Sequence, residues 1–216
     1  MLIFLHTAPV HVKTFNNLLS EMAPTIPAHH IVDESLLAMA REQGLTPELQ
    51  QRVDAAILSA VKRSSDVVLC TCSTIGACAE GTNRLIENTI LRVDRAMAEQ
   101  AVVCGSPMVI VATLASTLAP TKELIVDAAL TAHKTIGIIE MLVERAWPKF
   151  EQGDETGYFE CIAETLYVAA SIGKVVVLAQ ASMAGAVDLC PDITVPILTS
   201  PKMGLEAAIK AHKSKI

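Results

Sequence analysis

The residues best suited to chemistry stand in the segment VVLCTCSTIG, at positions 67–76. Cys72 follows a buried apolar run that is typical of a strand, and Ser73 and Thr74 precede a pattern that is typical of a helix. Backbone amides at the start of a helix lack partners within the helix, so they attract anions such as a carboxylate. The same partial positive charge favours a thiolate over a thiol. The segment therefore predicts a nucleophile or proton-transfer base, Cys72, beside an anion-binding turn.

A second copy of this pattern, VVLAQASMAG, occupies positions 176–185. When the serines of the two segments are superposed, Cys72 falls on Ala181; a shift of one residue would place it on Gln180 or Ser182. None of these three residues is a thiol. The pattern is thus duplicated, whereas the cysteine is present only once.

Two further landmarks repeat at nearly the same interval. They are IFLHT (3–7) with VIVAT (109–113), and RAMAEQA (95–101) with PKMGLEA (201–207). Three landmarks in the same order predict two similar lobes. Lobe one would contain residues 1–97 plus 200–216 and lobe two residues 98–199, so the last helix should pack back on lobe one.

The elements between these landmarks are predicted from short apolar runs that alternate with helical patterns. Such alternation indicates parallel sheets with right-handed crossovers. In the helical pattern that begins at Thr46, the threonine is a suitable N-cap. One long helix is expected over 75–90, with Ser73 or Thr74 as its cap. In the second half, helices are expected over 121–137 and 155–173, with a turn around 146–154.

Hydroxyl side chains stand at the predicted strand ends of both lobes. Ligands of open parallel sheets bind beyond the carboxyl ends of the strands, so two facing lobes would place these groups in a shared cleft. Hydroxyls and turn amides stabilise oxyanions, although capping of the next helix is an alternative role. The candidate carboxylate-binding residues are Thr7, Ser73, Thr74, Thr113, Gln180 and Ser182.

The other ionisable candidates are fewer. His6 ends the first strand and is a candidate acid or base, although a structural histidine is the commoner case. Of the six cysteines, Cys70 lies deeper in its strand than Cys72, and the remaining four are expected to be structural. No Cys-x-x-Cys pair occurs, so a metal site is not expected.

Composition excludes several function classes. The chain of 216 residues has a net charge of −6, and no basic run exceeds the pair Lys62–Arg63, so nucleic acid is not an expected partner. The uncharged run 101–119 is broken by Gly105 and Pro107 and is not expected to span a membrane. The apolar N-terminus lacks a basic leader and fits a first strand, which favours a cytoplasmic protein. Apolar helix faces favour a homo-oligomer.

The whole chain resembles the aspartate/glutamate/hydantoin racemase superfamily. The segments that carry the resemblance are VVLCTCSTIG, VDRAMAEQAV, VATLASTLAPT, VVVLAQASM and PILTSPKMGLEAA. The resemblance implies two pseudo-symmetric α/β lobes, with the active site between them and no cofactor. It also implies proton transfer at the carbon next to a carboxylate of a small acid, such as an amino acid or a derivative. Family racemases use one cysteine on each face of that carbon, and Cys72 matches the cysteine of the first lobe.

The absence of the second thiol leaves several functions open. A racemase-type isomerase would need another group on the second face of the carbon. The superfamily also contains arylmalonate decarboxylases that work with one cysteine, placed in the second lobe, and maleate isomerases that use cysteine as a nucleophile. A protein that binds a small acid without turning it over is a further alternative, and a structural assembly protein is the least favoured.

Overall fold

The computed structural model describes residues 1–215, which form two α/β units, each with its own four-stranded parallel sheet. Unit 1 contains Met1–Arg95 together with the segment that begins at Pro201, and unit 2 contains Ala96–Ser200. The predicted fold class, one parallel sheet with flanking helices in each of two lobes, is confirmed. Among the described residues, no helix is long and apolar enough to cross a membrane.

Unit 1 has the strand order β2-β1-β3-β4. Its strands are β1 (Leu2–His6), β2 (Ala28–Val32), β3 (Val67–Cys70) and β4 (Thr89–Arg92). Its first four helices are α1 (Val10–Met22), α2 (Glu34–Gln43), α3 (Pro47–Ala60) and α4 (Gly76–Gly81). β1 and β3 are buried on both faces, as expected for central parallel strands.

Two apolar clusters cover the two faces of this sheet, which we call the cysteine face and the phenylalanine face. On the cysteine face, strand residues such as Leu5 and Cys70 pack with residues of α2 and α3. On the phenylalanine face, Phe4 and Leu69 pack with Phe15 of α1. Alternation along each strand sends neighbouring side chains to opposite clusters.

Unit 2 repeats this plan with the strand order β6-β5-β7-β8. Its strands are β5 (Met108–Ala112), β6 (Ile138–Leu142), β7 (Val175–Leu178) and β8 (Ile197–Thr199). Its helices are α5 (Arg95–Cys104), α6 (Ala115–Thr131), α7 (Trp147–Glu151) and α8 (Glu155–Ile172), with a 3-10 helix over Ala181–Leu189. Central strand residues such as Val111 and Leu178 pack on α8.

The last helix, α9 (Ser200–Lys213), packs on the phenylalanine face of unit 1. Leu205, Ala208 and Ile209 belong to the same buried cluster as Phe4. Gly204 lies directly against the backbone of Val93, where a Cβ atom would overlap the carbonyl oxygen. Close approach of backbone to backbone, which needs glycine, therefore holds this helix on the sheet.

Several predicted elements differ from the observed ones. The helix predicted over 75–90 ends at Gly81, because a 3-10 turn and β4 follow it. The helix predicted over 121–137 begins six residues earlier and ends at Thr131. Sequence analysis also missed β6, an edge strand with partly exposed side chains and no clean alternation. The predicted N-cap Thr46 is confirmed, since its hydroxyl accepts a hydrogen bond from the Leu49 amide at 3.2 Å.

Candidate active site

Strand register shows which residues of the two units correspond. In unit 1, Leu5 of β1 pairs with Cys70 of β3; in unit 2, Val111 of β5 pairs with Leu178 of β7. The members of each pair also belong to one core cluster, on the face covered by α2 and α3 in unit 1 and by α8 in unit 2. β3 of unit 1 is therefore equivalent to β7 of unit 2, with Leu178 at the position that corresponds to Cys70.

This register corrects the letter-by-letter superposition by one residue. Two positions beyond each pair, Cys72 corresponds to Gln180, and Thr74, not Ser73, corresponds to Ser182. The superposition of Cys72 on Ala181 is wrong, because a shift of one residue would turn the side chains of β7 to the opposite face of its sheet. The matching serines had favoured the wrong shift.

The thiol turn of unit 1, residues 71–75, joins β3 to α4. Cys72 is 8% exposed and packs in the cluster of the cysteine face. Thr7 directly follows β1 at the same level of the sheet, since it too lies two residues beyond the Leu5–Cys70 pair. Thr7, Ser73 and Thr74 are all buried. The structure thus brings four candidate residues of unit 1 to the carboxyl end of its sheet.

Neither Ser73 nor Thr74 caps α4, contrary to the prediction. The N-cap position is Ile75, which makes no side-chain cap, and the helix is only six residues long. The Ser73 hydroxyl is buried and has no hydrogen-bond partner among residues 1–215. A buried polar group without a partner is uncommon in native proteins and requires an explanation.

An ion pair that sequence analysis missed lies beneath this turn. Arg92, the last residue of β4, donates to Asp94 through Nε (2.6 Å) and Nη2 (3.0 Å), and both side chains are almost fully buried. Arg92 Nη2 also donates to the Ser73 carbonyl at 3.1 Å. A Cβ atom at Gly76 would lie 2.7 Å from Arg92 Nε, so the glycine makes room for the guanidinium. The sequence signal was a charged pair within an apolar segment.

The corresponding edge of unit 2 carries a hydrogen-bond network without a thiol. Gln180 Oε1 accepts bonds from the amide (2.6 Å) and the hydroxyl (3.1 Å) of Thr113. The Tyr158 hydroxyl bonds to Ser182 at 2.8 Å and to Thr113 at 3.3 Å. Burial raises the pKa of Tyr158, so its phenol stays protonated near neutral pH. Sequence analysis missed Tyr158, which lies within an apolar helix pattern.

His6 does not lie beside Cys72. Its ring packs on Phe4 and Phe15, on the phenylalanine face of the sheet, whereas Cys72 packs on the cysteine face. Burial, together with the nearby rings of His30 and His11, lowers the pKa of His6 to about 3. A neutral histidine on the far face of the sheet cannot exchange a proton directly with the Cys72 thiol.

Both ring nitrogens of His6 are engaged in a chain of hydrogen bonds. Nδ1 lies 2.8 Å from the Thr71 hydroxyl and Nε2 lies 2.8 Å from His30 Nδ1. His30 Nε2 lies 3.0 Å from Asn16 Oδ1. Because Asn16 Oδ1 can only accept, His30 Nε2 donates to Asn16. The Thr71 hydroxyl, at the other end of the chain, also donates to the Leu5 carbonyl at 3.2 Å. The chain holds both rings in place beside Phe4, on the phenylalanine face of the sheet.

Three of the other cysteines are buried in the core. Burial raises the pKa of Cys70, Cys78 and Cys190, so these three side chains remain thiols near neutral pH. The described residues contain no group of three or more histidine, cysteine or acidic side chains placed to hold a metal ion.

Comparison with known proteins adds the fold to this geometry. No protein-family model matches the sequence, and the comparison with curated proteins gave no match. Solved structures match over almost the whole chain. Allantoin racemase from Pseudomonas fluorescens is 17% identical with a TM-score of 0.62, covering 100% of this chain and 92% of that one. Picrophilus torridus aspartate racemase is 12% identical with a TM-score of 0.69, covering 98% and 94%.

The chain has the fold of the aspartate/glutamate racemase superfamily. A variant of arylmalonate decarboxylase in a sulfate-associated form matches it too, at 14% identity and a TM-score of 0.55, covering 99% of this chain and 94% of that one. The resemblance inferred from the repeated segments is therefore confirmed at the level of fold. Within this racemase fold, the two units differ at their strand ends: a thiol in unit 1 and a carboxamide in unit 2.

Proposed function

We propose that the protein is a cofactor-independent enzyme that uses Cys72 to move a proton at the carbon beside the carboxylate of a small acid. The observation that carries this proposal is the position of Cys72. It lies two residues beyond the central strand β3, at the carboxyl end of the sheet. Thr7 lies at the same level after β1, and the next residue, Ser73, has an unpartnered hydroxyl. The racemase and decarboxylase folds that the chain resembles support the same class of small-acid chemistry.

The second unit supports proton transfer from one side only. Its counterpart of Cys72 is Gln180, and a carboxamide neither releases nor accepts a proton in this pH range. Gln180 is moreover fixed by two bonds from Thr113. We therefore propose that Thr113, Gln180 and Ser182 bind the acid and that Cys72 delivers or removes the proton. Racemisation would need a second proton-transfer group, whereas single-thiol decarboxylation or isomerisation would not.

A hydrogen-isotope experiment tests the proposal. The purified protein is incubated in deuterated buffer with D- and L-aspartate, D- and L-glutamate, allantoin and phenylmalonate. We expect one substrate to gain deuterium at the carbon beside the carbonyl or carboxylate group, with the product enriched in one configuration. Mass spectrometry and chiral chromatography measure the two quantities. Equal enrichment of both configurations from the first turnovers would refute the one-sided arrangement.

Two variants assign the reaction to the proposed residue. Cys72→Ser should abolish isotope incorporation while leaving the melting temperature almost unchanged, because a hydroxyl of similar size cannot ionise near neutral pH. Cys78→Ser is the matched control, since this thiol lies in the same unit with a pKa raised by burial, and it should retain activity. Incorporation by Cys72→Ser at the wild-type rate would remove Cys72 from the mechanism.

A small-acid-binding protein without turnover is the second candidate, favoured by the missing second thiol. It predicts saturable binding of one of the same acids, with no isotope incorporation. Calorimetric titration of each acid alongside the exchange assay separates the two functions.

We also propose that the protein is a cytoplasmic homo-oligomer. Large apolar side chains are exposed on three helices of unit 2, namely Val103 (66% exposed), Leu130 (69%) and Val168 (52%). Light scattering coupled to size exclusion measures the mass, and a monomer at micromolar concentration would refute the oligomer.

A further inference from the structure

The thiol turn has two carbonyl groups that point into unit 1. The Cys72 carbonyl accepts a hydrogen bond from the Cys70 thiol, with Sγ and O separated by 3.6 Å. The Ser73 carbonyl accepts one from Arg92 Nη2 at 3.1 Å and one from the Gly76 amide at 3.3 Å. All of these donors are buried. Both carbonyls are therefore held on the interior side of the turn.

The direction of these carbonyls determines the direction of the next two amides. A trans peptide group is planar, and its N–H points away from its own C=O. The amides of Ser73 and Thr74 therefore point away from Cys70 and Arg92. No acceptor among residues 1–215 receives a hydrogen bond from either amide, although both residues are at most 5% exposed. Buried backbone amides in native proteins almost always have a partner.

A third donor lies in the same turn. The Ser73 hydroxyl is buried and has no partner among the described residues. Two adjacent amides and one hydroxyl without partners, next to Cys72, match the donors that bind a carboxylate or another oxyanion. This set does not depend on the helix dipole of α4, which is too short to supply one.

We propose that Arg92 and Cys70 are positioning residues that hold the Ser73 and Thr74 amides as a donor pair for the substrate carboxylate. Asp94 keeps the Arg92 guanidinium in place through its two charge-assisted bonds. The inference rests on the proposed function and deepens it, because it names the residues that hold the acid-binding turn in place. It also gives Cys70 a role: its thiol, kept protonated by burial, remains a hydrogen-bond donor while Cys72 does the chemistry.

Unit 2 lacks this arrangement. Leu178 is the residue of unit 2 that corresponds to Cys70. Within its own sheet Leu178 pairs with Thr199, whereas Cys70 in unit 1 pairs with Arg92. Neither the thiol donor nor the guanidinium is therefore duplicated, and the donor pair belongs to the thiol-bearing unit.

Binding of succinate, an achiral small dicarboxylate, tests the proposal without requiring turnover. Calorimetry is performed on the wild type, on Arg92→Lys and on Arg95→Lys, whose guanidinium pairs with Glu80. Lysine keeps the charge next to Asp94 but loses the planar fork that reaches both Asp94 and the Ser73 carbonyl. We expect Arg92→Lys to weaken succinate binding about tenfold or more, and Arg95→Lys to leave it unchanged. Melting curves of both variants report stability separately.

Two variants of Cys70 provide a second test of the proposal if Arg92→Lys does not fold. Cys70→Ser retains a donor to the Cys72 carbonyl and should bind succinate within about twofold of the wild type, whereas Cys70→Ala removes the donor and should bind several-fold more weakly. A merely structural role predicts equal affinity for the two folded variants, with differences only in melting temperature, and that result would overturn the inference. So would a wild-type protein that binds neither succinate nor inorganic phosphate.

The outcome is separable from that of the proposed function. Succinate binding that depends on Arg92 and Cys70, without isotope incorporation into any acid, would support the donor pair and refute the enzyme. Isotope incorporation with a KM that Arg92→Lys and Cys70→Ala leave unchanged would support the enzyme and refute the donor pair.

Discussion

Replacing Gln180 by cysteine tests the correspondence between the two units. The strand registers make Gln180 of unit 2 the counterpart of Cys72 of unit 1, so Gln180→Cys would give each unit a thiol at the equivalent position. If the proposed chemistry is right, the variant should interconvert the enantiomers of the acid that the wild type only deuterates. A positioned acid or base contributes about 10²–10⁴-fold to a proton-transfer rate, which sets the size of the expected gain.

The substitution also has a cost that the structure defines. Gln180 Oε1 accepts bonds from the Thr113 amide at 2.6 Å and from the Thr113 hydroxyl at 3.1 Å. Thr113 is only 2% exposed, so its amide would lose its partner in a buried place, at a cost of about 1–3 kcal/mol. For a chain of this size, each kcal/mol lowers the melting temperature by about 2–4 °C. We expect a decrease of roughly 2–12 °C, measured by scanning calorimetry.

Ala181→Cys is the matched control for this experiment. It places a thiol where the letter-by-letter superposition would have it, and it disturbs neither bond to Thr113. Chiral chromatography in deuterated buffer measures the interconversion in both variants. Greater interconversion by Ala181→Cys than by Gln180→Cys would show that the register argument is wrong, and absence of interconversion in both would show that the second face of the substrate is not reached from this strand.

Three further predictions concern stability. Because the pKa of His6 is lowered to about 3, the unfolded chain binds a proton at a higher pH than the folded protein does. The free energy of unfolding should therefore fall by at most roughly 5 kcal/mol as the pH decreases from about 6.5 towards 3. Urea unfolding should show a smaller fall with pH in His6→Leu, and the same pH dependence in both proteins would contradict this. Gly76→Ala should lower the free energy of unfolding by about 1–3 kcal/mol, because the new methyl group would press on the buried Arg92 side chain. Gly81→Ala should lower it less, since a methyl group there meets only the flexible ends of side chains. Equal decreases in the two variants would refute the tight contact at Gly76. Gly204→Ala should lower the melting temperature, because the new methyl group meets backbone that cannot move aside, and an unchanged melting curve would be the contrary result.

The sequence contained enough information for the fold because its repeat and its periodicity are properties of the chain itself. Buried central strands such as VVLC and VVVL are continuous apolar runs, and two such runs in matching contexts predict two matching sheets. The edge strand β6 was missed for the complementary reason: its partly exposed side chains show neither a continuous run nor an alternation. The end of α4 was missed because the residues after it are compatible with a helix, and only their pairing as β4 excludes it.

The site was predicted less completely than the fold. The candidate residues of each unit do lie at the carboxyl end of its sheet, because the sequence showed that they follow the central strands. Two features of the site could not be predicted from the amino-acid sequence. The correspondence between Cys72 and Gln180 depends on the hydrogen-bonded register of the strands within each sheet. The position of Arg92 beneath the thiol turn depends on the pairing of β4 with β3 and on the close approach of Gly76, which no local pattern encodes.

The packing of α9 on unit 1 has a consequence for how the chain acquires its structure during synthesis. Unit 2 is one continuous segment, whereas the apolar cluster around Phe4 includes Leu205 and Ile209, about 200 residues later in the chain. Domains generally fold as they leave the ribosome. Unit 2 can therefore complete its sheet first, while the thiol-bearing unit must wait for the helix that covers its sheet. The contacts between Phe4 and α9 join residues about 200 positions apart and are the slowest kind to form, so the phenylalanine face of unit 1 is covered only after α9 has been made.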